Sequence, residues 1–280
     1  MIVPVADATA PQGGPPTGWE REVMGIKRLL TRLGWGGASV ETVLQDSPVL
    51  PGGSVRGQVQ IEGGEVDQRV DRLTVGVVVR LEDYSNAELL RMDVGEGVLV
   101  GSGQSITRDF EIGLPWDMPV TTHRGQPLKG MDVGVNTQLH IAAAVDPGDF
   151  DPVAVALLPA QEAVLDALAA LGFQFYAAAV KDGRISSEHA GIATTRQGSP
   201  LFQELRYYPP SGSTALDKLD VTFAVDDTAI DVVLQAEKLE DMMNDAVRTS
   251  RLFTVEHADA RGTDWQARIR QWTESLPTRR

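Results

Sequence analysis

The sequence contains no cysteine among its 280 residues. A thiolate nucleophile, an iron–sulfur cluster and a cysteine-ligated zinc site are therefore excluded, and only His, Asp and Glu side chains remain as metal ligands. The lack of cysteine is typical of proteins from a reducing compartment, so we expect a cytoplasmic protein that needs no cofactor.

Positive charge is also scarce. The 25 lysines and arginines stand against 39 Asp and Glu residues, which gives a net charge of -14 and a pI near 4.7. Because a surface this negative repels phosphate backbones, we predict no nucleic-acid partner. Long apolar runs are missing too, since no window approaches the roughly 18 consecutive apolar residues of a membrane-spanning helix.

The sequence also lacks the usual catalytic motifs. Its four histidines are scattered and have no HExxH partner, and there is neither a G-x-S-x-G elbow nor a phosphate-binding P-loop. We therefore predict that the chain is not an enzyme.

What is abundant is alternation of apolar and polar residues. In the stretch VRGQVQI, Val55, Val59 and Ile61 share one face, and the same period of two recurs in residues 73–81, 106–114 and 135–145. Gly-rich or Pro-rich turns separate these runs at 51–53, 63–64, 95–103 and 115–119. This pattern predicts an antiparallel β-sandwich over residues 24–152, preceded by a flexible Pro- and Gly-rich extension, residues 1–23.

The second half begins with helical spacing. Val164, Leu165 and Leu168 predict a short connecting helix that Gly172 ends. Five further alternating runs follow, and they predict a second sandwich within residues 153–258. Residues 238–247 (KLEDMMNDAV) have the spacing of a short helix. The overall prediction is a mainly β protein with two sandwich domains in tandem.

Residues 259–280 predict a C-terminal helix and tail. Trp265, Ile269 and Trp272 fall on one stripe, which indicates an amphipathic helix. The two tryptophans are candidate partner-binding residues, and packing onto the protein's own sheet is the alternative.

A second candidate surface is the segment of residues 25–33. It places Arg28 and Arg32 opposite a row of leucines, so it could contact an acidic partner or, weakly, an anionic membrane surface. Capping of the first sandwich by its apolar side is the alternative.

The sequence DPGDFDP groups Asp146, Asp149 and Asp151. Calcium favours oxygen ligands, so these carboxylates are weak candidates for a metal site. The spacing is not that of an EF-hand loop, and Asp-Pro pairs are ordinary turn formers, which favours a simple linker.

Three segments together carry a family resemblance: residues 38–64 (ASVETVLQDSPVLPGGSVRGQVQIEGG), 114–125 (LPWDMPVTTHRG) and 134–155 (GVNTQLHIAAAVDPGDFDPVAV). They resemble the bacterial sporulation-control family of the stage-zero M type. The resemblance implies two arrestin-like β-sandwich domains, no catalytic residues and a regulatory role exerted through protein partners.

Two hypotheses of function remain at this point. The first is a non-enzymatic regulatory adaptor that acts through protein–protein interaction and could form a homodimer through its sheet edges. The alternative is a β-sandwich module that binds calcium or carbohydrate.

Overall fold

The computed structural model describes residues 37–45, 47–141, 148–185, 194, 196–241 and 244–277. The structure is mostly β, with antiparallel pairing throughout its sheets and two helices. In chain order the strands are β1 (Ser39–Leu44), β2 (Ser54–Glu62), β3 (Gln68–Arg80), β4 (Asn86–Val100), β5 (Ser105–Gly113), β6 (Thr122–His123), β7 (Gln126–Pro127), β8 (Val133–Ile141), β9 (Gly148–Pro152), β10 (Gln174–Asp182), β11 (Leu201–Tyr208), β12 (Lys218–Val225), β13 (Ala229–Asp241) and β14 (Asn244–Glu256), and the helices are α1 (Pro159–Ala170) and α2 (Trp265–Glu274).

The N-terminal half, residues 37–152, contains two facing sheets. One has the strand order β1-β2-β5 and the other β4-β3-β8-β9. In β2 alternate residues are buried, as the period of two predicts, and Val59, Leu73 and Leu139 are fully buried in the core. At one margin the sheets are joined, because the Thr42 amide donates to Oδ2 of Asp149 at 2.7 Å.

The C-terminal half, residues 153–277, is built differently. Its described strands form one five-stranded sheet in the order β10-β11-β12-β13-β14, where the alternation had predicted a second pair of facing sheets. One face of this sheet packs against helices, with Phe253 of β14 edge-to-face on Trp265 of α2 at 6.1 Å between ring centroids. The connecting helix and the C-terminal helix predicted from the sequence are confirmed as α1 and α2.

The first turn of α1 explains where that helix begins. Pro159 occupies the first turn, where its missing N–H costs nothing, and the Gln161 side chain accepts a hydrogen bond from the Leu158 amide at 2.9 Å. Gly172 ends the helix with φ of 86°.

Two local predictions are wrong. Where a helix was predicted over residues 238–247, the described residues are paired strands instead, with Leu239 of β13 opposite Ala246 of β14. The turn predicted over residues 95–103 is mostly strand, because β4 continues to Val100 before the chain turns. In both places the strand pairing of a long hairpin overrides the local signal.

Candidate functional site: the seam and the ionic cluster

The segment of residues 114–124 lies between the two halves, and we call this segment the seam. Its first part is bound to the turn before β2: Gly52 donates its amide to the Pro115 carbonyl at 3.1 Å. The ring of Trp116 covers Gly52 so closely that a Cβ there would lie 2.5 Å from it, and Gly52 has φ of 73°. Only glycine fits under both constraints.

The seam then contacts the C-terminal half. Trp116 faces His257 with ring centroids 5.7 Å apart, and the Asp117 carboxylate accepts the Ser199 amide at 2.7 Å. Gln203 of β11 binds both backbone groups of Val120, accepting its N–H at 3.1 Å and donating to its carbonyl at 2.7 Å. The seam thus forms hydrogen bonds to both halves and fixes their contact.

Elsewhere between the halves, four charged side chains form what we call the ionic cluster: Glu82, Lys181, Glu204 and Arg206. Glu204 is only 4% exposed and is bound by Lys181 at 3.0 Å and by Arg206 at 2.9 Å. Arg206 also reaches Glu82 of the N-terminal half at 2.7 Å. The ionic cluster is therefore a second connection between the halves.

The charges of the ionic cluster control its protonation. Burial by itself would raise the pKa of Glu204, but the hydrogen bonds from Arg206 and Lys181 outweigh burial and leave that pKa below its ordinary value. The pKa of Arg206 is raised, because its bonds to Glu204 and Glu82 outweigh the burial that favours the neutral form. Glu204 and Arg206 therefore remain charged at neutral pH.

Asp220 lies directly across from Arg206 in the register of β11 and β12. Burial, followed by the negative charge of Glu204, raises the pKa of Asp220 to about 6. Within the described part of the chain, Oδ1 of Asp220 is buried without a hydrogen-bond partner. Tyr176 and Tyr208 stack at 4.2 Å between centroids, and burial together with the charge of Asp220 raises the pKa of Tyr176. Several titrating groups with shifted pKa values therefore lie close together on this polar face of the C-terminal sheet. Such groupings are common at functional sites.

The sequence-predicted tryptophans do not lie at this site. Trp265 and Trp272 are 2% and 8% exposed, and both belong to the hydrophobic core. The indole N–H of Trp265 donates to the Ala260 carbonyl at 3.2 Å. The structure therefore corresponds to the alternative in which this helix packs onto the protein's own sheet, and the two side chains offer little surface to a partner.

The acidic linker is only partly described. Asp149 uses both carboxylate oxygens on backbone amides, those of Thr42 and Phe150. Asp151 lies on β9 opposite Val135, and Asp146 lies outside the described residues. Across the described ranges no three His, Asp or Glu side chains are grouped in a way that could hold a metal ion.

Arg28 and Arg32 lie outside the described residues, as does the whole extension of residues 1–23. Of the histidines, His123 lies 3.6 Å from Asp166 and His257 faces Trp116, while His189 is not described. In the part of the chain that is described, neither helix is long and apolar enough to cross a membrane.

The seam lies within the resembling segment of residues 114–125, but its role in joining the halves was not predicted. The ionic cluster was missed altogether. One signal was available: in FQELRYY, Glu204 and Arg206 occupy alternate positions and therefore share a sheet face that must satisfy both charges. What could not be read was that Glu82, 122 positions before Glu204, completes the group.

A two-sheet sandwich joined through the seam to a helix-covered sheet defines a two-part, mainly antiparallel β protein. The chain belongs to the Spo0M family, whose family model (SpoOM protein) matches residues 26–240. The resemblance predicted from the sequence is thereby confirmed.

Two relatives illustrate the match. The sporulation-control protein spo0M of Bacillus subtilis (strain 168) is 27% identical over 244 residues, which cover 81% of this chain and 89% of that protein. The crystal structure of Spo0M from Bacillus subtilis aligns with a TM-score of 0.68 at 23% identity and covers 85% of this chain and 98% of that one. The structural likeness supports the same fold for both proteins.

Proposed function

We propose that this protein is a non-enzymatic regulatory adaptor of the sporulation-control family that acts in the cytoplasm through protein–protein interaction. Membership of the family supports the regulatory role. The absence of cysteine, typical of a reducing compartment, supports the location.

The observation that carries the proposal is that segments resembling the family join the two halves of the molecule. In the turn before β2 and in the seam, Gly52, Trp116 and Asp117 hold the two halves together. These residues build a scaffold with a fixed arrangement of two halves, and its outer surfaces are available to other proteins. A scaffold of this kind contributes surface and geometry to a regulatory complex, which is what an adaptor requires.

The test begins with affinity capture from a lysate of the source organism, using the tagged full chain. Captured proteins are identified by mass spectrometry, purified and tested for direct binding by isothermal titration calorimetry. We expect at least one to bind directly. The seam variant Asp117→Ala with Gln203→Ala should bind it at least tenfold more weakly, because both substitutions remove hydrogen bonds between the halves.

Asp109→Asn is the matched control, since Asp109 is exposed on β5 and accepts a bond from Gln58 within its own half. Circular dichroism establishes that all variants are folded. If no captured protein binds directly on reconstitution, the adaptor function is wrong. If binding to a genuine partner is unchanged in the seam variant, the fixed arrangement of the halves is not what the partner recognises.

A further inference from the structure

The C-terminal end of this acidic protein is locally basic. Residues 244–280 hold seven arginines against five Asp and Glu residues, in a chain whose net charge is -14. The described part of this stretch forms the edge strand β14 and the helix α2. An acidic ligand is repelled by most of the surface and would find its favourable region here.

The two edges of the C-terminal sheet differ. The outer edge of β10 is occupied by the N-terminal half: the Ala178 amide donates to the Lys129 carbonyl at 2.8 Å, and the Val180 carbonyl accepts the Glu82 amide at 2.9 Å. β14, at the other end of the strand order, pairs only with β13 among the described strands. One edge of this sheet is thus covered, and the other is open as far as the described residues extend.

The direction of the backbone groups on β14 follows from one hydrogen bond. The His257 amide donates to the Thr228 carbonyl at the β13 side. Because backbone groups alternate in direction along a strand and the pairing of β13 with β14 has no register shift from residue 229 to 239, the amides of Ser250, Leu252 and Thr254 point away from β13. These three amides form an outward row on the open edge.

On β14 and α2, two arginines flank a pair of contacting aromatic rings in the order Arg251, Phe253, Trp265 and Arg268, and we call these four side chains the arginine–aromatic strip. The Arg251 guanidinium lies 5.6 Å from the Phe253 ring centroid, and that of Arg268 lies 5.6 Å from the Trp265 ring. The two rings contact each other edge-to-face. β14 and α2 therefore present two guanidinium groups on one continuous strip.

Both arginines of the strip are exposed, and neither forms an ion pair with another described residue. Arg248, on the same strand, differs because it binds the Glu237 carboxylate at 3.2 Å. Asp264, one turn before Arg268 in the helix, uses its carboxylate to accept the Ala267 amide at 2.9 Å. The charges of Arg251 and Arg268 therefore remain available for an incoming carboxylate.

We propose that the open edge of β14 and the arginine–aromatic strip bind an extended acidic segment of a partner protein, which adds a sixth strand to the C-terminal sheet. This inference rests on the proposed adaptor function and names the chemistry of the partner. Main-chain hydrogen bonds to the outward amides supply affinity, and carboxylates at alternate positions bind Arg251 and Arg268.

The test uses the full chain and a ten-residue fluorescent probe of alternating valine and glutamate, with a valine–lysine peptide as its counterpart. Fluorescence anisotropy measures binding, and hydrogen exchange followed by NMR reads the individual amides. We expect the acidic probe to bind and the valine–lysine peptide not to bind. The affinity of the acidic probe should fall as the salt concentration rises, and its binding should slow exchange of the amides of Ser250, Leu252 and Thr254.

The double variant Arg251→Glu with Arg268→Glu should weaken binding of the acidic probe at least tenfold. Arg108→Glu reverses one charge in the same way at an exposed position of β5 and should leave binding unchanged. Folding of each variant is checked from the dispersion of its NMR spectrum. Equal loss in the control, binding of both peptides, or no slowing of the three amides overturns the proposal.

Two outcomes separate this inference from the adaptor function itself. Slowed exchange of the same amides with rising protein concentration and no probe would show pairing with a second copy, and would overturn the partner segment. A captured partner that binds the double variant as tightly as the wild type keeps the adaptor function and removes only this docking site.

Discussion

Both halves are built from strands that alternate apolar and polar residues, but the two halves bury their apolar faces differently. In the N-terminal half, each sheet covers the apolar face of the other, and the outward faces carry mainly exposed polar residues, with Thr74 of β3 buried. In the C-terminal half, helices cover one face of a single sheet, while the opposite face contains Glu204, Thr222 and Gln235, all of them buried. The period of two alone therefore does not decide whether a polar residue on a sheet is buried.

This difference has an electrostatic consequence. Tyr207 and Asp220 are buried groups whose pKa values are shifted far from the ordinary ones. Both lie in the C-terminal half. Burial raises the pKa of both. We therefore expect the stability of the C-terminal half to depend on pH and on single charged side chains more than that of the N-terminal half.

The largest effect should come from the helix that covers the C-terminal sheet. Trp265→Ala should lower the free energy of unfolding by about 3–5 kcal/mol, because it empties a large buried site. Urea denaturation followed by circular dichroism measures the change. Arg270→Ala, an exposed position on the same helix, should change stability by less than about 0.5 kcal/mol. A loss of under about 1 kcal/mol for Trp265→Ala would mean that α2 is not part of the core.

The next effect tests the buried charges. Glu204→Gln should lower the free energy of unfolding by about 2–3 kcal/mol, because Lys181 and Arg206 lose their charged acceptor. Glu111→Gln is the counterpart in the N-terminal half, where an exposed carboxylate accepts a bond from Ser54. Its effect should stay within about 0.5 kcal/mol. Equal effects at the two positions would contradict the electrostatic difference between the halves.

A smaller effect should appear as a pH dependence. The pKa of Asp220 is raised in the folded protein to about 6, above the ordinary value of 3.8, so the folded state holds this proton more tightly than the unfolded state. Asp220 therefore costs the fold nothing below about pH 4. As the pH rises from about 4 to about 6, its ionisation lowers the free energy of unfolding. Asp220→Asn removes the cost of the buried charge, and at pH 7 it should gain about 1–2 kcal/mol over the wild type.

Denaturation curves of wild type and Asp220→Asn at pH 4 and pH 7 measure this difference directly. The two proteins should be close in stability at pH 4 and diverge at pH 7. A difference that is the same at both values would show that ionisation of Asp220 costs the fold nothing.

The smallest effect concerns the margin of the N-terminal sandwich. Asp149→Ala should lower the free energy of unfolding by about 1 kcal/mol, since the Thr42 amide loses its acceptor. Millimolar calcium should leave the melting temperature of the wild type unchanged. A calcium-dependent rise that disappears in Asp149→Ala would instead support the calcium-binding module.

Much of the fold could be predicted because period-two alternation reports directly on strands with one buried face. The runs around Val59, Leu73 and Leu139 became β2, β3 and β8. β4 was not predicted as a strand through Val100, since Gly95 and Gly97 read as turn residues, yet its pairing with β3 tolerates two register shifts. Local signals cannot report on such a tertiary partner.

The candidate site was less predictable for the same reason. Gly52 under Trp116 is a contact between turns 64 positions apart, and no periodicity records it. The tryptophans of α2 were correctly placed on one helical stripe, but a stripe looks the same whether it covers the protein's own sheet or a partner. What a surface packs against is a property of the whole fold.

The central claim is that the seam and the ionic cluster make one scaffold of two unlike halves. Hydrogen exchange during stepwise urea unfolding tests it most directly, with the amides of β8 and β13 reporting on the two halves. We predict that both sets lose protection in a single transition in the wild type, and in two separate transitions in Asp117→Ala with Gln203→Ala. Two well-separated transitions in the wild type would contradict the account.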